Sequence, residues 1–307
     1  MWQPEPGWTP LRQGAGTSTV GLWRAEHHGQ PAVVKRMARP QAGDPSLLSD
    51  PTHTGYWRRE AEVALHPDVV TGPGVVTPRY LRVDEDEDGV TVWSIELGGL
   101  PPPALQVARA LGRFAAARYA DVPWAARRTL TDRLAMVEAR GGWPTIGRTP
   151  MADVADHLWR RRGHWLGQYA DAPTGRLHGD AVPGNFPATT AGGDVVAVDW
   201  QGFGIGPMGT DLGYYALSTR EDFEVLLTAF LDGVHTERRA ADPGEDAAIR
   251  TAATVTCIYS ALSRAEWALS RVAPGEGALH GKFTHPSVAP YLRALQRQLP
   301  QVEALLG

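Results

Sequence analysis

Between Arg176 and Gln201 the chain reads Arg-Leu-His-Gly-Asp-Ala-Val-Pro-Gly-Asn-Phe and, after a turn at Gly192-Gly193, Val-Val-Ala-Val-Asp-Trp-Gln. This is the pattern of a short extended segment, a loop, and a buried strand ending in an acid. His178, Gly179, Asp180 and Asn185 fall in the loop; Asp199 closes the apolar run. One carboxylate placed to accept a proton, with an amide and a second carboxylate placed to hold a divalent cation, is the set that phosphoryl transfer from a nucleotide requires. Asn185 is the only asparagine in the chain, in a position where a neutral amide with an acceptor oxygen is wanted. Lysine is nearly as scarce, with only Lys35 and Lys282 among many arginines. Lys35 lies inside the apolar run Pro-Ala-Val-Val-Lys-Arg-Met, where a strand points it inward, and a compact ammonium suits a site that an arginine would not. Compositional accident is the alternative for either residue taken singly.

The elements that must position these residues follow from spacing. Residues 8 to 37 read as strand, glycine turn, strand, tight turn and strand, the turn being Gln13-Gly14-Ala15-Gly16-Thr17-Ser18-Thr19-Val20-Gly21. Glycine there lets backbone amides approach phosphate oxygens, although an isolated glycine turn is weak evidence. Glu26-His27-His28-Gly29 is a hairpin tip, because adjacent histidines on a turn rarely converge on one metal. From Thr54 to Leu65, Trp57, Ala61, Ala64 and Leu65 have helical spacing, with Glu60 bordering that face and Glu62 turned further towards solvent. Val75 to Leu97 reads as two more strands around the acidic run Asp84–Asp88, a solvated, edge-protecting turn. Glu96-Leu97-Gly98-Gly99-Leu100 and the three prolines after it then end the strands. Helices are expected at about 104–119, 124–140, 151–170, 211–218, 220–235, 245–272 and 286–305. The third carries Leu158, Trp159, Trp165 and Tyr169, an aromatic stripe that reads as core.

His178-Gly179-Asp180, Asn185 five positions after the aspartate, Asp199-Trp200-Gln201, and Gly206-Pro207 followed by Asp211-Leu212 resemble the aminoglycoside phosphotransferase and choline kinase family. The resemblance runs in order from the glycine turn to the helix after Asp211. It implies an α+β, two-lobed protein-kinase-like fold, with a small antiparallel-sheet lobe at residues 1–97 and a larger helical lobe at 98–307. It implies Asp180 as the residue that accepts or orients the proton of the acceptor hydroxyl, and Asn185 and Asp199 as Mg²⁺ ligands. Lys35 would hold the nucleotide phosphates, paired with Glu60 or, failing that, Glu62. Thr19 stands where the protein-kinase pattern has its third glycine, so Thr17, Ser18 and Thr19 are placed to donate to phosphate instead. Peptide groups from Glu96 to Gly98 would meet the purine edge. His178 is expected to buttress the loop, and Asp211 to cap its helix or brace the loop. The implied activity is transfer of phosphate from ATP or GTP to a hydroxyl of a small molecule: an antibiotic such as an aminoglycoside, an amino alcohol or a sugar. A catalytically silent nucleotide-binding module is the second reading. A protein kinase is disfavoured because the eleven residues between Asp199 and Asp211 leave no room for a substrate-docking loop.

Composition sets the outer bounds. At 307 residues with 43% hydrophobic and 21% charged content, the chain builds an ample core. A net charge of -4 gives no footprint for nucleic acid. A single cysteine, Cys257, excludes an intramolecular disulfide and a cysteine zinc site, and reads as a buried small hydrophobe. The opening Met-Trp-Gln-Pro-Glu-Pro-Gly-Trp has neither the basic start nor the apolar core of a signal peptide. No apolar run approaches the ~20 residues that span a bilayer. A cytoplasmic monomer or homodimer is expected.

Overall fold

The computed structural model describes residues 2–13, 18–141, 152–272 and 289–306. Gly14 to Thr17 of the glycine turn, and Lys282, lie outside the described residues. Strands β1 (Thr9–Gln13), β2 (Thr19–His27) and β3 (Gln30–Ala38) come first. Helices α1 (Arg59–Leu65) and α2 (Pro67–Val70) follow, then strands β4 (Val75–Val76), β5 (Tyr80–Glu85) and β6 (Gly89–Ile95). Five of these strands make an antiparallel sheet in the order β1-β2-β3-β6-β5. The central strand β3 obeys the two-residue period of a pleated sheet. Ala32 and Val34 join Trp93 and Trp8 on one face, where Trp2 and Trp23 also stack. Met37, on the other face with Lys35, packs with Val90, Val92, Trp57 just before α1 and Ala61 within it. That alternation sends Lys35 towards α1.

The remaining chain is mainly helical: α3 (Ala104–Ala116), α4 (Thr129–Ala139), α5 (Ala152–Arg160), α6 (Arg162–Ala170), α7 (Thr210–Ala216), α8 (Phe223–Arg238), α9 (Pro243–Val272), α10 (Ala289–Arg297) and α11 (Leu299–Leu306). Strand β7 (Thr174–Leu177) pairs antiparallel with β10 (Gly204–Pro207). Strand β8 (Ala188–Thr189) pairs with β9 (Val195–Val196). Helix α3 buries Val107, Ala108, Leu111, Phe114 and Ala115, three and four residues apart, against α8. Gly112 and Gly233 let those helices touch backbone to backbone: a Cβ would lie 2.0 Å from Phe230 O at one and 2.1 Å from Arg109 O at the other. Cys257 is buried in α9, where burial raises its thiol pKa.

Several expectations need correction. Val75-Val76 leaves the main sheet and pairs parallel with Val195-Val196, extending the small β8-β9 hairpin. The segment expected as one helix over 151–170 breaks at Arg161, and the last helix breaks at Gln298. The helix expected from Thr54 starts at Arg59, because the preceding residues form turns. Asp199 does not end a strand: β9 stops at Val196 and Asp199 has a left-handed backbone, φ 62°. The acidic run is exposed but is not merely solvated. Asp86 takes both terminal nitrogens of the buried Arg36, and Glu85 pairs with Arg39 and Arg58. His27-His28 forms the β2-β3 hairpin tip, and no metal-binding cluster of histidine, cysteine and carboxylates is found among the described residues.

Candidate active site

The loop after β7 is fixed by its own backbone. Gly179 has φ +80°, and a Cβ there would sit 1.8 Å from Gly202 O, so only glycine lets the loop pass so close to the Trp200–Gly202 turn. Asp211 lies in the first turn of α7 without capping it; its two oxygens accept the N–H groups of His178 (2.6 Å) and Gly179 (2.9 Å). Bracing the loop, not capping the helix, is therefore its structural role. Burial raises the Asp211 carboxyl against the opposing pull of His178 and these two amides. The imidazole of His178 is fully buried, accepting from Asp180 N–H at Nδ1 (3.3 Å) and donating from Nε2 to Val198 O (3.0 Å). It stacks 4.7 Å from Trp200.

Val198 stitches the two halves of the site together. Its carbonyl receives His178, and its N–H donates to Asn185 O at 2.9 Å. Asn185 donates its side-chain NH₂ to Asp180 O (2.8 Å) and to the Asp180 carboxylate (3.2 Å). That assignment turns the amide oxygen away from Asp180. Asp199 lies between Val198 and Trp200, which is fully buried and donates Nε1–H to Ala197 O at 2.8 Å. Asp180, Asn185 and Asp199 are thus brought into one loop cluster.

Lys35 reaches this cluster from the sheet. Its Nζ lies 2.5 Å from Asp199 Oδ1 and 3.2 Å from Glu60 Oε2. Burial works against the ammonium, but Glu60 and then Asp199 outweigh it, and the Lys35 pKa is raised. Glu60 is buried as well; burial raises its carboxyl, Lys35 pulls it down, and Asp199 pushes it up again. One cation between two carboxylates leaves Glu60, the more buried and the more distant, as the easier to protonate. Glu62 instead pairs with Arg58 along the helix.

The other nucleotide-side residues have definite neighbours. Ser18 is buried and its hydroxyl accepts from Gln201 Nε2 at 2.7 Å; Thr19 Oγ1 lies 3.5 Å from Gln201 Oε1. Glu96 donates its N–H to Pro31 O, and its carboxylate accepts from the Arg24 guanidinium. Gly98 is exposed, just past the last strand.

The sequence pattern assigned no role to three residues. Arg59 is fully buried and spends all five N–H groups on carbonyl oxygens: Trp124 from Nε, Thr54 and Gln201 from one terminal nitrogen, Pro51 and His53 from the other. It locks α1, and so Glu60, to the segment after Asp199. Its only signal was the i, i+4 spacing to the buried Val63. Gln201, quoted in the Asp199-Trp200-Gln201 pattern but given no role there, reaches from beside Asp199 to Ser18. The Tyr80 hydroxyl is buried without a hydrogen-bond partner among the described residues; burial, then Glu60 and Asp199, raise its pKa.

An antiparallel sheet set on a helical body, with lysine, two carboxylates and an asparagine converging where they meet, is the architecture of the protein-kinase-like phosphotransferases. The phosphotransferase enzyme family profile matches residues 57–247, and the chain belongs to that family. The same fold is seen in choline kinase from Cryptosporidium parvum (TM-score 0.59, 12% identity, 99% of this chain and 91% of that one). Amicoumacin kinase hAmiN, in complex with AMP-PNP, Ca²⁺ and Ami, gives TM-score 0.57 and 14% identity over 99% and 90%. Aminoglycoside-3'-phosphotransferase of type VIII gives 0.51 and 21% over 83% and 94%. These identities speak to fold. No curated protein matches the chain by sequence. No helix among the described residues is long and apolar enough to cross a membrane.

Proposed function

We propose that this chain transfers the γ-phosphoryl group of ATP or GTP to a hydroxyl of a small molecule, with an antibiotic such as an aminoglycoside, an amino alcohol and a sugar as the acceptor classes. The observation that carries this reading is the stitching of Asp180, Asn185 and Asp199 around Val198, with Lys35 2.5 Å from Asp199. Asp180 accepts the proton of the acceptor hydroxyl and aligns it. Asn185 fixes the Asp180 carboxylate through its NH₂ group. Lys35, kept charged by Glu60, holds the phosphates, and Arg59 keeps α1 at the depth this pairing needs. Peptide groups of the Glu96–Gly98 segment take the purine edge. The donor set suits Mg²⁺, a hard cation content with one or two protein oxygens: the turned-out amide oxygen of Asn185 and the carboxylate of Asp199 would hold it. Bound there, it would neutralise charge on the phosphates.

The test is nucleoside diphosphate release from ATP and from GTP with Mg²⁺ across these acceptor classes. Asp180→Asn and Asp199→Ala are each expected to lower kcat by at least about 10²-fold. Wild-type rates in either variant refute these roles. Nucleotide binding without transfer to any acceptor would reassign the protein to a silent binding module.

A further inference from the structure

Helix α7 touches the catalytic loop twice. Asp211 in its first turn binds the loop amides, and Tyr214, one turn on, stacks under Arg133, whose guanidinium donates to Gly179 O beside Asp180. A second guanidinium, Arg264 of α9, also lies over the Tyr214 ring: its carbon is 3.9 Å from the centroid and that of Arg133 is 4.1 Å. Two such groups at this height cannot share one face, so tyrosine is clamped between two arginines. Beyond Tyr214, α7 ends at a half-open cavity of about 410 Å³ between the Leu217–Ser218 turn, α9 and α10. Arg264, Arg293, Arg297 and Ser218 supply its polar lining, and among the described residues that line it none is acidic. Arg264 donates to Ser218 Oγ (3.0 Å) and Arg297 to Leu217 O (3.3 Å), bonds that orient both guanidinium planes. In a chain of net charge -4, arginines gathered in one concavity are a local reversal of sign.

We propose that this cavity is an oxyanion subsite of the acceptor, and that the acceptor therefore carries a phosphate, sulfate or carboxylate as well as the hydroxyl it presents to Asp180. The inference rests on the phosphotransferase reading above. Guanidinium groups take such oxyanions in bidentate fashion. The seven residues of α7 span roughly 10 Å at 1.5 Å per residue, so cavity and catalytic loop are separated by the length of a small molecule. A polycation such as an aminoglycoside is disfavoured by the same charges.

Binding of inorganic phosphate to the full chain, by calorimetry at matched ionic strength, tests the cavity without turnover. Binding that survives Asp199→Ala but weakens at least tenfold in Arg264→Gln, and in Arg297→Gln at the more exposed arginine, is expected. Absence of binding, or binding lost in Asp199→Ala and untouched by both arginine variants, overturns the proposal. Turnover is then compared for hydroxyl compounds paired with analogues bearing a phosphate, sulfate or carboxylate. The anionic partner is expected to be preferred, and Arg297→Gln to raise its KM at least tenfold with kcat and nucleotide KM unchanged. Phosphate binding in the cavity with acceptor KM unaffected means a free anion site and overturns the acceptor role. Neutral or cationic acceptors turned over with KM unaffected overturn it too, while leaving the kinase reading intact. If no acceptor is phosphorylated, the kinase reading fails, and with it the acceptor role.

Discussion

Lys35 carries one positive charge between two carboxylates, and its loss is felt through the one that is buried. Lys35→Met leaves Glu60 without its cation and is expected to cost about 3–5 kcal/mol at pH 8. The pH dependence has a definite sign. Glu60's folded pKa lies above the ordinary glutamate value of 4.5, so between these values the folded chain keeps a proton that the unfolded chain has released. Stability contributed there falls as pH rises through the window and levels off above it. Removing Lys35 removes the main pull downward and widens the window. Urea unfolding should therefore find the variant closer to wild type at pH 5 than at pH 8. An equal deficit at both would mean that Glu60 does not depend on Lys35.

At the scale of elements, Arg59 ties α1 to three separate backbone segments. A methionine of similar reach leaves five carbonyls short of donors in a buried place. Arg59→Met is expected to cost at least about 3 kcal/mol, lowering Tm by roughly 6 °C. Because the same side chain holds Gln201 O and sits beside Glu60, turnover measured well below Tm should fall as well. Retained activity in a destabilised Arg59→Met would make Arg59 a stability residue alone. Gln201 makes the complementary link from the Asp199 segment to Ser18, so Gln201→Ala is expected to raise nucleotide KM more than it lowers kcat; an unchanged nucleotide KM would argue against that link.

For the whole molecule, the sheet and the helical body meet through charged and polar contacts: Lys35 to Asp199, Gln201 to Ser18, Arg59 to Gln201 and Trp124. A ligand that bridges both sides should stabilise the assembly by mass action, about 2.7 kcal/mol at a hundred times its Kd. Thermal unfolding with ADP and Mg²⁺ is expected to shift upward, and the shift should shrink when EDTA is added or when Asp199 is alanine. A shift indifferent to both would place nucleotide binding elsewhere.

The chemistry of the site was legible because it depends on residue type. A lone asparagine, a lysine in an apolar strand, and aspartates bounding a glycine-bearing loop are written in the order the loop needs them. The sheet was legible for a related reason: its strands are long and alternate, and turns stand between them. What spacing alone could not decide were features set by partners distant in sequence. Val75-Val76 joined the small hairpin because its mate, Val195-Val196, lies in the other half of the chain. Asp199 has a left-handed backbone between a strand and the fully buried Trp200, and Gln201 beyond it is held by Arg59 from a distant part of the chain. Arg59 is an ordinary arginine in sequence and becomes a buried anchor only when five carbonyls from three stretches of chain surround it. Likewise, the arginines that gather around Tyr214 and the cavity beyond it come from three helices. Local pattern determines which groups are available; only the tertiary structure, by bringing distant backbone and charge together at close range, decides which of them act on one another.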